Sequence, residues 1–367
     1  MSFDEVMFLD AVEDVSRGNR KIPQSDFLAS GKLAVVDQGQ RLVAGYTDDS
    51  STAVAAGGPV VVFGDHTRAV KYVDFPFAMG ADGVKVLRAK DGFDTKFLYR
   101  YLESREIPSA GYSRHFKFLK DINVPKPSID EQCRIAKILD HADAIRTNRR
   151  QILTHLDTLT QSIFHMMFGG RADDIKRLEA LVDTGDRMNY GVVQPGDVVP
   201  DGVPLIRISD LVDGRVDRRN LKRISPDVES AYKRSRIRGN EILVNSVGYS
   251  IGDVAVASSD DEGSNIARAI TRVPISDPVL RSYLAAYLRS PEPQRYFAAE
   301  SRTVAQPTLN VKQLAATPVP IPPAALQRQF AERVEQINTQ RAAAQKALAA
   351  DNELFASLQS RAFKGEL

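Results

Sequence analysis

A nine-residue proline pattern occurs twice in this chain of 367 residues: Val124-Pro-Lys-Pro-Ser-Ile-Asp-Glu-Gln132 returns as Val319-Pro-Ile-Pro-Pro-Ala-Ala-Leu-Gln327, at an offset of 195. The offset holds without a gap on both sides. Upstream it pairs Lys117 with Lys312 and Leu119 with Leu314. Downstream it pairs Leu153 with Leu348, Leu159 with Leu354, Ser162 with Ser357, Phe168 with Phe363 and Gly170 with Gly365. After a small change of offset, Phe97-Leu-Tyr-Arg-Tyr-Leu-Glu-Ser104 matches Tyr283-Leu-Ala-Ala-Tyr-Leu-Arg-Ser290. A chain repeated in this way folds as two copies of one unit, each closed by the same junction.

The segment after each junction reads as a long helix. Beyond Gln132 the apolar positions are Ile135, Ile138, Ala142, Ile145, Ile152, Leu156, Leu159, Ile163 and Met166, in alternating three–four spacing that only Arg149 breaks. That is a heptad seam. Ser128 or Asp130 can cap its start, Glu131 suits the first turn, and Gly169-Gly170 ends it. About 39 residues rising about 1.5 Å each span roughly 58 Å. One compact domain does not cover that length, so the helix needs a partner. The second copy supplies Phe330, Val334, Ile337, Ala344, Leu348, Phe355 and Leu358, interrupted by Arg341 and Asp351. Its alanine-rich centre, Ala342 to Ala350, favours helix and allows close approach. The expectation is an intramolecular antiparallel coiled coil; the alternative is two amphipathic helices, each packed on its own domain.

The stretches before the junctions read as mixed strands and turns. Leu33 to Asp37, Pro59 to Phe63 and Val84 to Arg88 read as strands in the first, with a short helix at Phe97 to Glu103. In the second, strands are expected at Val203 to Ile208, Glu241 to Asn245 and Ile266 to Val273, with a helix near Leu280 to Arg289. The fold class is therefore α+β. Two globular domains, 1–127 and 171–322, are separated by long helices at 128–170 and 323–367, as a pseudo-twofold tandem duplication.

Hydrophobic content of 43% and charged content of 26% exclude a largely disordered chain. No run of about 18 apolar residues is present to span a membrane. The acidic start, MSFDEVMFLDAVEDVSRG, has no apolar core of a secretory signal. Cys133 is the single cysteine and forms no internal disulfide, which fits a reducing cytosol. A cytoplasmic location is expected. The net charge of +2 argues against coating nucleic acid by bulk charge but leaves room for local basic faces.

Such a face is concentrated between Arg207 and Arg238, with ten Lys or Arg against five Asp or Glu. Its cations are Arg207, Arg215, Arg218, Arg219, Lys222, Arg223, Lys233, Arg234, Arg236 and Arg238, and Tyr232 and Tyr249 lie nearby. Guanidinium and ammonium groups neutralise phosphates, and arginine reads guanine edges. In the first domain, Gly64-Asp-His66-Thr-Arg68 sits at a strand end, followed by Lys71. Gly111-Tyr112-Ser-Arg114-His115 precedes Lys117 in the loop before the long helix. The alternative for the basic segment is a solvated polar surface, and for the histidines and arginines on turns a loop brace.

Catalytic signatures are missing. The sequence has no phosphate-binding G-x-x-x-x-G-K-[ST] loop, no glycine-rich dinucleotide fingerprint and no Asn-Pro-Pro-aromatic tetrad for holding a flipped base. The five histidines, 66, 115, 141, 155 and 165, share no metal-ligand spacing with one another or with Cys133. His141, His155 and His165 fall off the seam of the long helix. Asp140 and Asp143 flank His141, but their helical placement argues against a catalytic cluster. Cys133 opens the helix and reads as inert.

With these residues in place, nearly the whole chain resembles the specificity subunit of type I restriction–modification systems. In that family each half is a target recognition domain, then a proline-bearing loop, a glutamine and a long helix, as at Val124–Gln132 and Val319–Gln327. Val203-Pro-Leu-Ile-Arg-Ile-Ser-Asp-Leu211, Glu241-Ile-Leu-Val244 and Gln306-Pro-Thr-Leu-Asn310 look like one recognition-domain type. Phe63-Gly-Asp-His-Thr-Arg68, Ala81-Asp-Gly-Val-Lys85 and Gly111-Tyr-Ser-Arg-His115 look like another. The second helix departs from the pattern in its weaker seam. The resemblance implies a subunit without chemistry of its own, whose two domains each read half of a split double-stranded DNA target while the helices set the spacer. It implies two modification subunits carrying S-adenosylmethionine, and restriction subunits using ATP and magnesium where these are present. The competing readings are a coiled-coil scaffold with two protein-binding heads and a stand-alone methyltransferase or nuclease.

Overall fold

The computed structural model describes residues 3–109, 111, 113–169, 174–301 and 307–367. Tyr112, Gly170 and Gln306 of the sequence motifs lie outside the described residues. The chain divides into two compact units, residues 1–150 with 346–367 and residues 151–345.

The first unit runs β1 (Glu5–Met7), α1 (Phe8–Ala11), β2 (Val12–Asp14), β3 (Lys21–Ile22), β4 (Leu33–Val36), β5 (Gly45–Thr47), β6 (Val60–Gly64), β7 (Val70–Val73), β8 (Phe77–Gly80), β9 (Val84–Ala89), α2 (Thr95–Glu103), α3 (Phe116–Leu119) and β10 (Asn123–Pro125), and enters α4 (Ile129–Phe168). Its strands form an antiparallel sheet in the order β2-β9-β6-β7 and a mixed sheet in the order β3-β8-β4-β5. The β6 run of Val60-Val-Val-Phe-Gly is buried throughout, because side chains alternate between the two faces of a strand and both faces are covered. Val61 and Phe63 pack with Phe8, Leu98 and Tyr101, whereas Val60 and Val62 pack with Val36, Met79 and Val86. Asp94 caps α2, its Oδ1 accepting from the Phe97 amide at 2.8 Å.

The second unit repeats the plan. After the rest of α4 come β11 (Asp174–Arg177), β12 (Asn189–Tyr190), β13 (Val203–Ile206), β14 (Leu211–Val212), β15 (Arg215–Val216), β16 (Lys222–Ile224), α5 (Pro226–Ser230), β17 (Glu241–Asn245), β18 (Val254–Val256), β19 (Asn265–Ile266), β20 (Ile270–Pro274), α6 (Pro278–Leu288), α7 (Pro291–Glu300), α8 (Val311–Ala315), β21 (Pro318–Ile321) and α9 (Ala324–Ala362). The antiparallel sheet β12-β20-β17-β18 has the order of β2-β9-β6-β7, and the parallel pair β13–β19 matches β4–β8. In each unit the first strand pairs with the strand of the proline junction, β1 with β10 and β11 with β21. One expected strand is corrected. Ile266 to Val273 is not continuous: β19 belongs to one sheet and β20 to the other, and Ala267 to Ala269 carry the chain across.

The duplication extends to single hydrogen bonds. Tyr101 Oη donates to the carbonyl of Asn123, and Tyr287 Oη donates to that of Pro318 at 2.7 Å. Phe363 meets Phe97 edge-on at 5.6 Å, as Phe168 meets Tyr283 at 5.0 Å. The repeated glutamines are buried braces. Gln132 Nε2 donates to the carbonyls of Gly92 and Pro127, its Oε1 accepts from the Asp94 amide, and Gln327 Nε2 donates to Pro322.

In each unit a stretch of α4 packs antiparallel to a stretch of α9. In the first, Ile135, Ala136 and Leu139 share a core with Phe355 and Ala362. In the second, Phe164 meets Phe330 at 5.7 Å. The polar interruptions answer one another: Arg149 pairs with Asp351 at 3.2 Å in the first unit, and Arg341 with Asp157 in the second. The α9 seam faces inward as expected, with Phe330, Ile337, Ala344 and Phe355 buried and Val334, Leu348 and Leu358 half-buried. The α4 seam needs correction on one side. Ile135, Ala142, Leu156 and Ile163 are buried or half-buried, and so is Ile138, but Ile145, Ile152, Leu159 and Met166 are 38–69% exposed. The residues one step on from these four, Arg146, Leu153, Thr160 and Met167, are half-buried instead. Arg146 lays its guanidinium over the Phe355 ring, 3.4 Å from the centroid, which counting apolar residues cannot register.

Candidate nucleic-acid interface

The central strand of each antiparallel sheet ends in a loop tied to the segment before a short helix. After β6, the Asp65 carbonyl accepts from the His115 amide at 2.8 Å, and Asp65 Oδ1 from the Phe116 amide at 2.7 Å. After β17, the Ser246 carbonyl accepts from the Leu309 amide at 2.8 Å, and the Pro307 carbonyl from the Gly248 amide at 3.2 Å. The two loops present His66 with Arg68, and Tyr249.

The first loop leaves little space. A side chain on Gly83 (φ +75°) would stand 2.5 Å from Gln38 Oε1 and 2.7 Å from His66 Cδ2. Gln38 Oε1 also accepts from the His66 amide at 3.3 Å. His66 itself is exposed. Arg68, held at φ +65°, donates from Nη1 to the Ile107 carbonyl at 2.9 Å. Arg114 and Lys117 are exposed, and Lys117 Nζ lies 5.0 Å from the Phe118 ring centroid.

Two residues expected at DNA are internal braces instead. Lys71 is 6% exposed; burial lowers its pKa, and its Nζ donates to the Asp37 carbonyl at 2.8 Å. His115 is 1% exposed, with Nδ1 2.8 Å from the Asp65 carbonyl. Both obey the same rule: a buried polar group is retained where it satisfies backbone acceptors.

Five of the ten cations in the basic segment of the second unit are paired with carboxylates in place. Arg207 holds Asp210 in a fork at 2.9 and 3.0 Å, and Arg236 holds Glu229 at 2.5 and 2.9 Å. Arg219 pairs with Asp217, whose pKa this hydrogen bonding lowers to about 2. Arg238 pairs with Asp186 at 3.2 Å, and Arg218 lies 3.8 Å from Asp261. Lys222 and Arg223 donate to the carbonyls of Gly196 and Gly202. Arg215 reaches inward to Asn338 on α9 at 2.6 Å. Lys233 and Arg234 are exposed, and Tyr249 is fully exposed. Tyr190, Arg268 and Lys312, which the sequence did not single out as candidates, are exposed as well. The signal for Lys312 was present in its repeat partner Lys117.

Asp140 and Asp143 are structural. With Glu103 they surround the Arg100 guanidinium at 2.7–3.1 Å and tie α2 to α4. Among the described residues no group of three or more His, Cys, Asp or Glu is placed to hold a metal ion. Among them too, no helix is long and apolar enough to cross a membrane.

Comparison with known proteins fits this doubled plan. Residues 4–157 match the type I restriction modification DNA specificity domain. The chain is 32% identical over 323 residues to the type I restriction enzyme EcoBI specificity subunit of Escherichia coli, across 77% of this chain and 68% of that protein. It is 23% identical over 352 residues to the EcoKI specificity subunit of E. coli strain K12, across 87% of this chain and 75% of that protein. Among solved structures, the type I restriction–modification S subunit of M. genitalium shares the fold at a TM-score of 0.59 and 16% identity, covering 99% of this chain and 96% of that one. A structure from work on complex assembly and conformational transition of a type I restriction–modification system gives 0.52 at 17% identity, covering 100% and 98%. The repeated strand order, the paired helices and the identity to EcoBI lead to one conclusion: this chain belongs to the family of type I restriction–modification specificity subunits.

Proposed function

We propose that this chain selects the DNA sequence for a type I restriction–modification complex, each globular domain reading one half of a bipartite target. The domains are residues 1–127 and 171–322, and the helices 128–170 and 323–367 set the unread spacer between the half-sites. The observation that carries this reading is the repeated loop at the end of each central strand with the segment tied to it, which expose His66, Arg114 and Lys117 in one unit and Tyr249 in the other. Such groups suit base edges and phosphates, which position and specify separately. Arg68 in the first unit and Lys233 and Arg234 in the second are further exposed cations.

The outer faces of the helices dock two methyltransferase subunits, which bring S-adenosylmethionine and modify adenine; restriction subunits with ATP and magnesium join where the cell makes them. Support comes from the exposed apolar series Ile145, Ile152, Leu159 and Met166. An exposed apolar row at heptad spacing is an unfilled helix-packing surface. Leu354, the repeat partner of Leu159, is exposed on α9, as two copies of one partner require.

Methylation mapping in cells that carry this chain with its methyltransferase subunits tests the reading, with a bipartite adenine motif as the expected result. Exchanging residues 171–318 for the corresponding domain of a relative changes one half of that motif only. Alteration of both halves would reject independent readers.

A further inference from the structure

The second unit carries a groove of about 860 Å³ at the start of the loop that follows β17. Ser246 and Val247 line it from that loop, Tyr190 and Arg268 from the sheet side, and Asn310 and Lys312 from the segment entering α8. Its described lining contains two cations and no carboxylate. Arg268 and Lys312 are both exposed, and among the described residues neither is in an ion pair. In the basic segment, by contrast, Arg207, Arg219, Arg236 and Arg238 are each already paired with a carboxylate. A second groove shares Val311 and Lys312 with the first, but there Lys312, Arg177 and Arg187 stand with Glu179 and Asp186, so its charge is not one-sided.

The duplication points to the same groove independently. Lys312 is the second residue of α8, and Lys117 is the second residue of α3, 195 positions earlier. Both short helices come after the segment stitched to the loop of the central strand, where Tyr249 in one unit corresponds to the His66 turn in the other. Tyr249 stands two residues beyond Val247 and is fully exposed, and Tyr190 is 55% exposed at the groove. Exposed aromatic side chains and unpaired cations suit a nucleic acid duplex, whose base edges the rings can contact and whose phosphates the cations neutralise.

We infer that this groove, rather than the paired arginines Arg207, Arg219, Arg236 and Arg238, carries the half-site specificity of the second unit: Arg268 and Lys312 hold phosphates, Tyr190 meets bases in the groove, and Tyr249 meets them from the loop that continues past Val247. The inference rests on the DNA-reading role proposed above. It is tested on the chain co-purified with its methyltransferase subunits, using Arg268→Gln, Lys312→Gln and Tyr249→Ala, with Arg219→Gln for comparison. Duplexes bearing the mapped target serve as the probe. Arg268→Gln and Lys312→Gln each weaken binding about tenfold and lower the slope of log affinity against log salt by about one. Arg268→Lys restores the slope, which separates loss of a phosphate contact from misfolding. Tyr249→Ala relaxes bases in the second unit's half-site and leaves the other half intact, and Arg219→Gln changes neither slope nor motif.

Wild-type slope and motif in Arg268→Gln, Lys312→Gln and Tyr249→Ala alike, with the parent complex still reading a bipartite site, would overturn the groove assignment alone. Groove variants that lose the methyltransferase subunits would mark the groove as a protein contact and overturn it too. If the parent complex selects no bipartite site, the DNA-reading role itself fails, and the groove assignment with it.

Discussion

Arg272 is fully enclosed and divides its guanidinium between two carboxylates, Glu241 at 2.9 Å and Asp186 at 2.7 and 3.0 Å. Glu241 is equally enclosed and also accepts from the amides of Arg238 and Asn240. An ion pair so placed costs much of its attraction in lost hydration, but removing one partner strands the other charge. Arg272→Met therefore destabilises the protein by about 3 kcal/mol at neutral pH, read from urea unfolding. The hydrogen bond from Arg272 holds the Asp186 carboxyl below its ordinary pKa. A carboxyl depressed in the folded state contributes stability above its unfolded pKa of about 3.9, and that contribution is lost as pH falls through the folded value. The gap between the parent and Arg272→Met thus narrows below about pH 4; a constant gap down to pH 3 would refute this account. None of this network was legible in the sequence, because its members lie 31 and 86 positions apart in the chain. The basic segment misled for the same reason: residue counts register ten cations but not which of them already face Asp or Glu.

At the scale of elements, the long helices were legible in existence and extent, since heptad repetition over so many turns leaves little else for the chain to do. The face was legible on α9 but turned by one residue along half of the α4 seam. Arg146, Thr160 and Arg149 sit among the packed positions, so an apolar count favours Ile145, Ile152 and Leu159 instead. The two faces separate by substitution. Phe355→Ala removes a ring packed against Leu139 and Arg146 and costs roughly 3 kcal/mol in denaturant unfolding. Leu159→Lys leaves that unfolding midpoint unchanged but abolishes co-purification of one methyltransferase subunit, and Leu354→Lys abolishes that of the other. A Leu159→Lys chain that unfolds early yet keeps both subunits would reverse the assignment of the faces.

For the whole molecule, one heptad inserted into both α4 and α9 adds about 10 Å of helix and lengthens the unread spacer by about three base pairs, with both half-sites retained. Methylation mapping that finds the original spacer in an active complex would end the ruler role. The division of the chain carries another consequence. The first unit is made of residues 1–150 together with 346–367, so Phe355 and Phe363, which cover Phe97, Tyr101 and Leu139, are synthesised after the whole of the second unit. A nascent chain therefore waits through nearly two hundred residues with an oily flank of its first half bare, open to chaperones and to mispairing with neighbouring polysomes. Slow translation across the second half prolongs that exposure, and supplying the missing strip in trans as a short peptide relieves it.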